Sequence, residues 1–89
     1  MSVYVDNCKH PFHRAGEEML MCHMVADSLE ELHAMADEIG MQRRWFQDKP
    51  RHPHYDLTEH RRLQAVQLGA IEVQSKDVVR VLRKLKNRA

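Results

Sequence analysis

The sequence has few glycines and prolines and no long apolar run. No stretch approaches the roughly 20 apolar residues that span a bilayer, so we expect no membrane partner. The first six residues lack the basic and apolar segments of a secretion signal, which predicts a cytoplasmic protein. Three glycines, three prolines and the lack of repeats exclude low-complexity and solenoid classes. A chain of 89 residues is sufficient for one small domain spanning residues 1–89.

Cysteine is also rare. The two cysteines, Cys8 and Cys22, lie 14 positions apart, and no CxxC pair exists. This spacing excludes a zinc ribbon and a thioredoxin motif. We expect two reduced thiols, since disulfides are rare in a reducing compartment. A Cys8–Cys22 disulfide is the alternative.

Charge and histidine are the features that stand out. The formal net charge is +1, but residues 1–40 carry a net −6 and residues 41–89 a net +7. Opposite charges attract within one chain or between two copies, and so small a core favours a homodimer. The 7 histidines matter because imidazole binds metals and carries protons near pH 7. Residues 76–89 are basic, which leaves nucleic-acid binding as a further hypothesis.

Apolar periodicity predicts alternating strands and helices. Val3–Val5, residues 19–26 and residues 71–73 have the composition of strands. A helix is predicted between an N-cap at Ser28, with Glu31 three positions on, and a stop at Gly40.

The rest of the chain supplies two more helices and two loops. A second helix is predicted to be capped by Asp56 or Thr58, and a third by Ser75. Residues 8–18 and 48–55 are predicted loops, and residues 41–46 form a short strand or an irregular stretch. Together these elements predict an α/β fold: a small sheet of three or four strands packed with about three helices, in a single compact domain.

Two carboxylates follow predicted strands. Asp6 ends the first strand and Asp27 ends the second. If these strands are parallel, both carboxylates meet at one edge and can hold a cation such as Mg²⁺. If the strands are antiparallel, Asp6 starts a turn and Asp27 favours a helix N-terminus instead.

The segment 52–56 suggests a second metal-binding arrangement. His52 and His54 are one residue apart and Asp56 follows, so an extended segment can present them to one ion. The alternative is a solvated, proline-rich loop. The candidate ligands of a divalent metal ion are therefore Asp6, Asp27, His54 and Asp56.

His23 interrupts an otherwise apolar strand. It is either a core histidine bonded to a carbonyl or to Asp27, or a ring that faces a pocket and moves a proton. With the segment above, it gives the candidate catalytic residues His23, His54 and Asp56.

A basic and aromatic segment suggests a phosphate ligand. Arg44 can grip a phosphate and Trp45 can stack on a base. Alternatively, Trp45 and Phe46 belong to the core. The basic pair that follows the predicted cap can add phosphate contacts. The ligand-binding candidates are Arg44, Trp45, Tyr55, Arg61 and Arg62.

Seven segments, taken in order, resemble a family of small bacterial and bacteriophage proteins classed as a domain of unknown function. They are residues 3–6, 21–27, 30–32, 44–47, 54–57, 61–62 and 65–70. The resemblance implies a free-standing cytoplasmic protein, often phage-encoded, and implies no activity. The polar positions that it implies are Asp6, His23, Asp27, Arg44, His54, Asp56 and Arg62. His10, His13 and His52 lie outside it.

The leading hypothesis is a module that binds or hydrolyses a phosphate ligand, either a nucleotide or a nucleic acid. An imidazole would act as acid or base, with a divalent metal ion as the cofactor. A shared site requires His23, His54 and Asp56 to lie within about 10 Å of one another. The alternative is a non-catalytic, phage-encoded module that binds or inhibits a host protein or forms a homodimer. The sequence leaves open whether the protein is an enzyme.

Overall fold

The computed structural model describes the backbone of residues 2–7, 10–14, 17–50 and 52–88. The side chains are described for residues 2–7, 20–50 and 52–83. Its strands are β1 (Val3–Val5), β2 (His10–Arg14), β3 (Glu17–Ala26), β4 (Tyr55–Leu57) and β5 (Ile71–Glu72). Its helices are α1 (Leu29–Glu38), α2 (Glu59–Gln67) and α3 (Ser75–Arg88), with one 3₁₀ turn, η1 (Arg43–Trp45).

The long strand β3 organises the sheet. It pairs antiparallel with β1, where Val5 lies opposite Met24, and with β4, where His23 lies opposite Asp56. Its N-terminal half pairs with β2, and β5 pairs in parallel with β1. The strands β1, β3, β4 and β5 thus form a mixed sheet that β2 extends at one end of β3.

The two faces of this sheet pack against different helices, because successive strand residues point to opposite sides. On one face, Val25 packs against Val78 and Val81 of α3. The other face packs against α1 and α2 to form the main core. This core includes Val5, Cys22, Met24, Leu32, Ala36, Tyr55, Leu57 and Ala65. The predicted class, a small α/β sheet packed with three helices in one domain, is confirmed.

The helices α1 and α2 begin and end at residues that the sequence indicates, whereas Ser75, the predicted cap of α3, is its first helical residue. Ser28 caps α1, with its Oγ accepting the Glu31 N–H at 3.2 Å, and Thr58 caps α2. Gly40 and Gly69 follow the ends of α1 and α2 with φ of 77° and 108°, the left-handed conformation that glycine adopts most easily. Among the described residues, no helix is both long and apolar enough to cross a bilayer.

Several local predictions are wrong. Residues 10–14 and the start of β3 form a hairpin within the predicted loop 8–18. Hydrogen bonding to a neighbouring strand overrides weak strand propensity here. Asp56 lies in β4 and is not a helix cap, because Tyr55, Asp56 and Leu57 pair with β3. Part of the segment 41–46, which was left open, forms the 3₁₀ turn η1.

The expectation of two reduced cysteines is also wrong. Cys22 is fully buried in β3 and is disulfide-bonded. The other cysteine of the chain, Cys8, lies outside the described residues. A spacing of 14 positions in the sequence does not reveal whether the fold brings two cysteines within bonding distance.

Candidate metal centre

Four polar side chains come together on the sheet face that also carries α3. Asp6 directly follows β1, and its backbone N–H donates to the carbonyl of His23 at 3.0 Å, which extends the β1–β3 ladder by one pair. On the other side of β3, His23 lies directly opposite Asp56. His54 precedes Asp56 by two positions, so strand alternation sends both side chains to the same face. The register of three strands therefore assembles the cluster.

The Asp6 carboxylate sets the orientation of the His23 ring. It is fully buried, and its Oδ1 accepts the backbone N–H of His23 at 2.7 Å. The Oδ2 lies 3.1 Å from His23 Nδ1, so we assign the ring proton to Nδ1. In that tautomer, Nε2 of His23 presents a lone pair toward Asp56, whose Oδ1 is 3.7 Å away.

The His54 ring is oriented in the same way by a backbone oxygen. Its Nδ1 lies 2.6 Å from the carbonyl of His52, and its Nε2 lies 3.3 Å from Oδ1 of Asp56. Burial lowers the pKa of His54, but the Asp56 carboxylate and the His52 carbonyl outweigh it, and the pKa is raised above 6.5. The His23 and His54 rings meet edge to face, with centroids 5.0 Å apart.

These three residues meet the geometric requirements of a metal site. One ligand atom from each of His23, His54 and Asp56 lies within 4.8 Å of the other two. A tetrahedral ion with bonds of about 2.0–2.1 Å separates its ligand atoms by about 3.4 Å. The distances of 3.3 and 3.7 Å from the two Nε2 atoms to Asp56 Oδ1 bracket that value.

The cluster also opens to solvent. The side chains of His23 and Asp56 are 30% and 37% exposed, while that of His54 is 9% exposed. A ligand can therefore approach from outside without any rearrangement of the core.

A second group of contacts holds Asp6 in place. Arg62 Nε donates to the carbonyl of Asp6 at 2.7 Å, and Arg62 Nη1 contacts Glu72 at 3.0 Å. The hydroxyl of Ser75, at the start of α3, lies 3.5 Å from Asp6 Oδ2 and 2.9 Å from Oδ1 of Asn7. The position of Asp6 thus depends on α2, β5 and α3 as well as on its own strand.

The structure separates Asp6 from Asp27. Because β1 and β3 are antiparallel, Val3 pairs with Ala26, and the two aspartates lie at opposite ends of the strand pair. Asp27 accepts the backbone N–H of Ser2 at 2.9 Å and contacts the Tyr4 hydroxyl. One ion bound by both Asp6 and Asp27 is excluded by this geometry.

The predicted phosphate-binding residues do not form one group. The Tyr55 side chain is buried in the main core, and its hydroxyl lies 2.8 Å from Nδ1 of His33. Arg62 is bonded to Asp6, as described above. Arg44 is exposed on η1, and Trp45 is 39% exposed with the Arg61 guanidinium 5.8 Å from its ring centroid. Nη1 of Arg61 also donates to the carbonyl of Ile39.

Sequence reasoning missed the groups that hold the cluster in place. It treated Asp6 as a ligand, whereas both of its carboxylate oxygens contact His23. It gave no role to the His52 carbonyl, which contacts His54, or to the Ser75 hydroxyl, which contacts Asp6, because only the fold brings these groups to the cluster. The alternation of buried Tyr55 and Leu57 with polar His54 and Asp56 is a signal that would have indicated a strand.

Comparison with known proteins gives one assignment. Neither the curated proteins nor the solved structures include a match to this sequence. The model of one family, described as a protein of unknown function (DUF4031), matches residues 3–85. That range covers every residue of the cluster, and the chain belongs to this family.

Proposed function

We propose that this protein binds a divalent transition-metal ion through His23, His54 and Asp56 and uses the ion to hydrolyse a phosphate ester. The observation that carries the proposal is the convergence of two imidazole Nε2 atoms on one carboxylate oxygen, at 3.3 and 3.7 Å. With each Nδ1 donating to an oxygen, both Nε2 atoms present lone pairs toward this carboxylate oxygen, an arrangement that suits a cation.

The contacts behind the ligands support a metal in particular. Histidine ligands usually donate their other ring nitrogen to a carboxylate or a backbone carbonyl, which fixes the tautomer and the ring orientation. His23 does so with Asp6, and His54 with His52. A set of two imidazoles and one carboxylate suits zinc or another transition metal better than Mg²⁺, which prefers oxygen ligands.

The number of ligands supports a reaction at the metal. Three protein ligands leave a further position for water, as in catalytic zinc sites, whereas structural zinc sites are closed by four. Because His23 and Asp56 are partly exposed, that position would be open to solvent. A bound ion would lower the pKa of its water to about 7 and so supply hydroxide. In the hydrolysis, a water oxygen would bond to phosphorus as the bond from phosphorus to the leaving oxygen breaks, and a proton of that water would pass to the leaving oxygen.

The preference for a phosphate ester rests on nearby positive charge. Lys49 is exposed and lies close enough for its charge to act against protonation of His54. Arg44 is exposed on η1, three positions before Gln47, which pairs with His54. Cationic groups beside a metal ion are suited to an anionic substrate.

Metal titration by calorimetry tests the first part of the proposal. Zn²⁺ added to chelator-treated protein should bind at one site, and His23→Gln or His54→Gln should weaken binding by at least about 100-fold. His60→Gln is the matched control, since His60 is an exposed histidine of α2 outside the cluster. Equal affinities in His54→Gln and His60→Gln would refute the site.

Hydrolysis of bis(p-nitrophenyl) phosphate tests the second part. The metal-loaded wild type should release p-nitrophenol, and a chelator or His54→Gln should abolish the release. Tight zinc binding without phosphodiester or phosphomonoester hydrolysis would restrict the function to metal binding.

The charge distribution supports a second candidate function, a non-catalytic interaction module. Acidic side chains of α1 and basic side chains of α3 lie on opposite faces of the sheet. These faces would attract each other between two copies, or a charged partner such as the host protein of a bacteriophage product. Sedimentation at low and high salt tests self-association, and a monomer at both salt concentrations argues against a dimer.

A further inference from the structure

We infer that the substrate is a single-stranded nucleic acid, with one base stacked on Trp45 and the adjoining phosphate at the metal centre. This inference rests on the proposed function and adds a substrate class to it. Three observations carry it: the exposure and support of Trp45, its position along the chain relative to His54, and the charges that flank both.

Trp45 is held at the surface instead of being packed into the core. The large side chain is 39% exposed, while the next residue, Phe46, packs against the main core. The guanidinium of Arg61 lies 5.8 Å from the indole centroid, within the range of a cation–π contact. Arg61 is itself bonded to the carbonyl of Ile39 at the end of α1. The ring is therefore exposed but supported, as a stacking platform requires.

Glycine at position 40 permits this support. A Cβ atom at Gly40 would lie 3.2 Å from Nη1 of Arg61, which is closer than an ordinary contact. The same glycine adopts the left-handed conformation that ends α1. The end of α1, Arg61 and Trp45 thus form one connected arrangement that holds the indole at the surface.

The chain path limits how far Trp45 can lie from His54. Gln47 pairs with His54 through two backbone hydrogen bonds, of 2.9 and 3.2 Å, and lies two residues after Trp45. Two residues span at most about 7 Å, and directly paired strand residues lie about 5 Å apart. The Cα atoms of Trp45 and His54 are therefore within about 12 Å, a distance that one or two nucleotides can bridge.

The flanking charges suit a phosphate backbone. Arg44 and Lys49 are both exposed, on either side of Gln47 in the chain, whereas Arg43 is paired with Asp37 at 2.9 Å. Cations that contact phosphates release condensed counterions, which makes binding salt-dependent. A surface indole can stack only on a base that is not already stacked, which favours a single strand over a duplex.

Trp45 is the sole tryptophan of the chain, so its fluorescence directly reports the proposed contact. Oligo-dT of about eight nucleotides, within the site size of single-strand-binding grooves, should quench the emission at low salt. Added salt should weaken the quenching. Inorganic phosphate at matched concentration should leave the emission unchanged, and a duplex of the same length should bind more weakly. Quenching by inorganic phosphate alone, or equal binding of the duplex, would overturn the inference.

Variants are measured by anisotropy of dye-labelled oligo-dT, which needs no tryptophan. Trp45→Leu should weaken binding by about fivefold to 150-fold, the range for loss of one base stack. Leu68→Ala, at a residue that is 50% exposed on the α2 side, should bind as the wild type does. Zinc affinity, measured on each variant, shows independently of nucleic-acid binding whether the fold and the metal site are intact. Wild-type zinc affinity with unchanged oligo-dT binding in Trp45→Leu overturns the inference but leaves the proposed function standing. A wild-type protein that does not bind zinc would overturn the proposed function.

Discussion

Replacing Asp6 by asparagine tests how the metal centre is built. The substitution keeps the size of the side chain but exchanges one acceptor oxygen for an NH₂ donor. In the native protein, both oxygens of Asp6 accept from His23, one from the backbone N–H at 2.7 Å and one from Nδ1 at 3.1 Å. An asparagine can serve only one of these donors, because its NH₂ group then faces the other.

The structure indicates which arrangement follows. If the asparagine oxygen keeps the shorter backbone bond, its NH₂ group faces Nδ1 of His23, and the ring proton must move to Nε2. The lone pair that faces Asp56 is then lost. We expect zinc affinity to fall by about 10–100-fold, as for other losses of a partner behind a metal ligand. Stability should fall by about 1–3 kcal/mol, since a buried hydrogen bond to a charged group is replaced.

Calorimetric zinc titration and urea unfolding of Asp6→Asn measure the two effects. Nitrogen NMR of the His23 ring reports the tautomer directly. Asp27→Asn is the matched control, because Asp27 accepts from Ser2 at the opposite end of the strand pair. Its zinc affinity should equal that of the wild type. A folded Asp6→Asn protein with wild-type zinc affinity would show that Asp6 does not set the orientation of His23 for metal binding.

Three further predictions concern the fold. Burial raises the pKa of Tyr55 above 10.0, so the phenol ionises at a higher pH in the native protein than in the unfolded chain. The contribution of this shift to the free energy of unfolding is complete below pH 10 and is lost as the pH rises through the native pKa. Absorbance titration of Tyr4→Phe, which retains Tyr55, should show this late ionisation, and an ordinary value would contradict it. Ser28→Ala should lower the free energy of unfolding by about 1 kcal/mol through loss of the α1 cap, measured in urea. Gly40→Ala should lower it by about 1–2 kcal/mol, because φ is 77° there and Arg61 lies close.

Local signals in the sequence account for the parts of the fold that were predicted correctly. The α1 helix was located from Ser28, its apolar spacing and Gly40, all of which act within a few residues. The strands β2 and β4 were not predicted because short strands depend on a partner. Proline at position 11 and at position 53 favoured loops, yet Tyr55 and its neighbours pair with β3 through backbone bonds that the chain's own composition does not indicate.

In the candidate site, too, the sequence indicates the residue types but not the strand pairing that brings them together. His23, His54 and Asp56 were selected on chemical grounds, and the sheet register brings them within 4.8 Å, well inside the distance that a shared site requires. Their roles in metal binding and catalysis stay predictions. The register itself was not available from the sequence, because a shift by one residue would send every side chain to the other face. For the same reason, the choice between a parallel and an antiparallel pairing of β1 and β3, and with it the separation of Asp6 from Asp27, required the structure.

The two acidic residues of the cluster therefore have different roles. Asp6 is fully buried, and its N–H, carbonyl and carboxylate contact β3, α2 and the start of α3. Both of its oxygens accept from His23, so Asp6 fixes the orientation of this ring. Asp56 is 37% exposed and its Oδ1 faces both Nε2 atoms, so it presents a carboxylate oxygen to an ion that enters from solvent. We infer that the buried carboxylate positions a ligand while the exposed one is a ligand. Asp56→Asn should therefore reduce zinc affinity in calorimetric titration while His23 keeps its bonds to Asp6, and wild-type zinc affinity in this variant would contradict the inference.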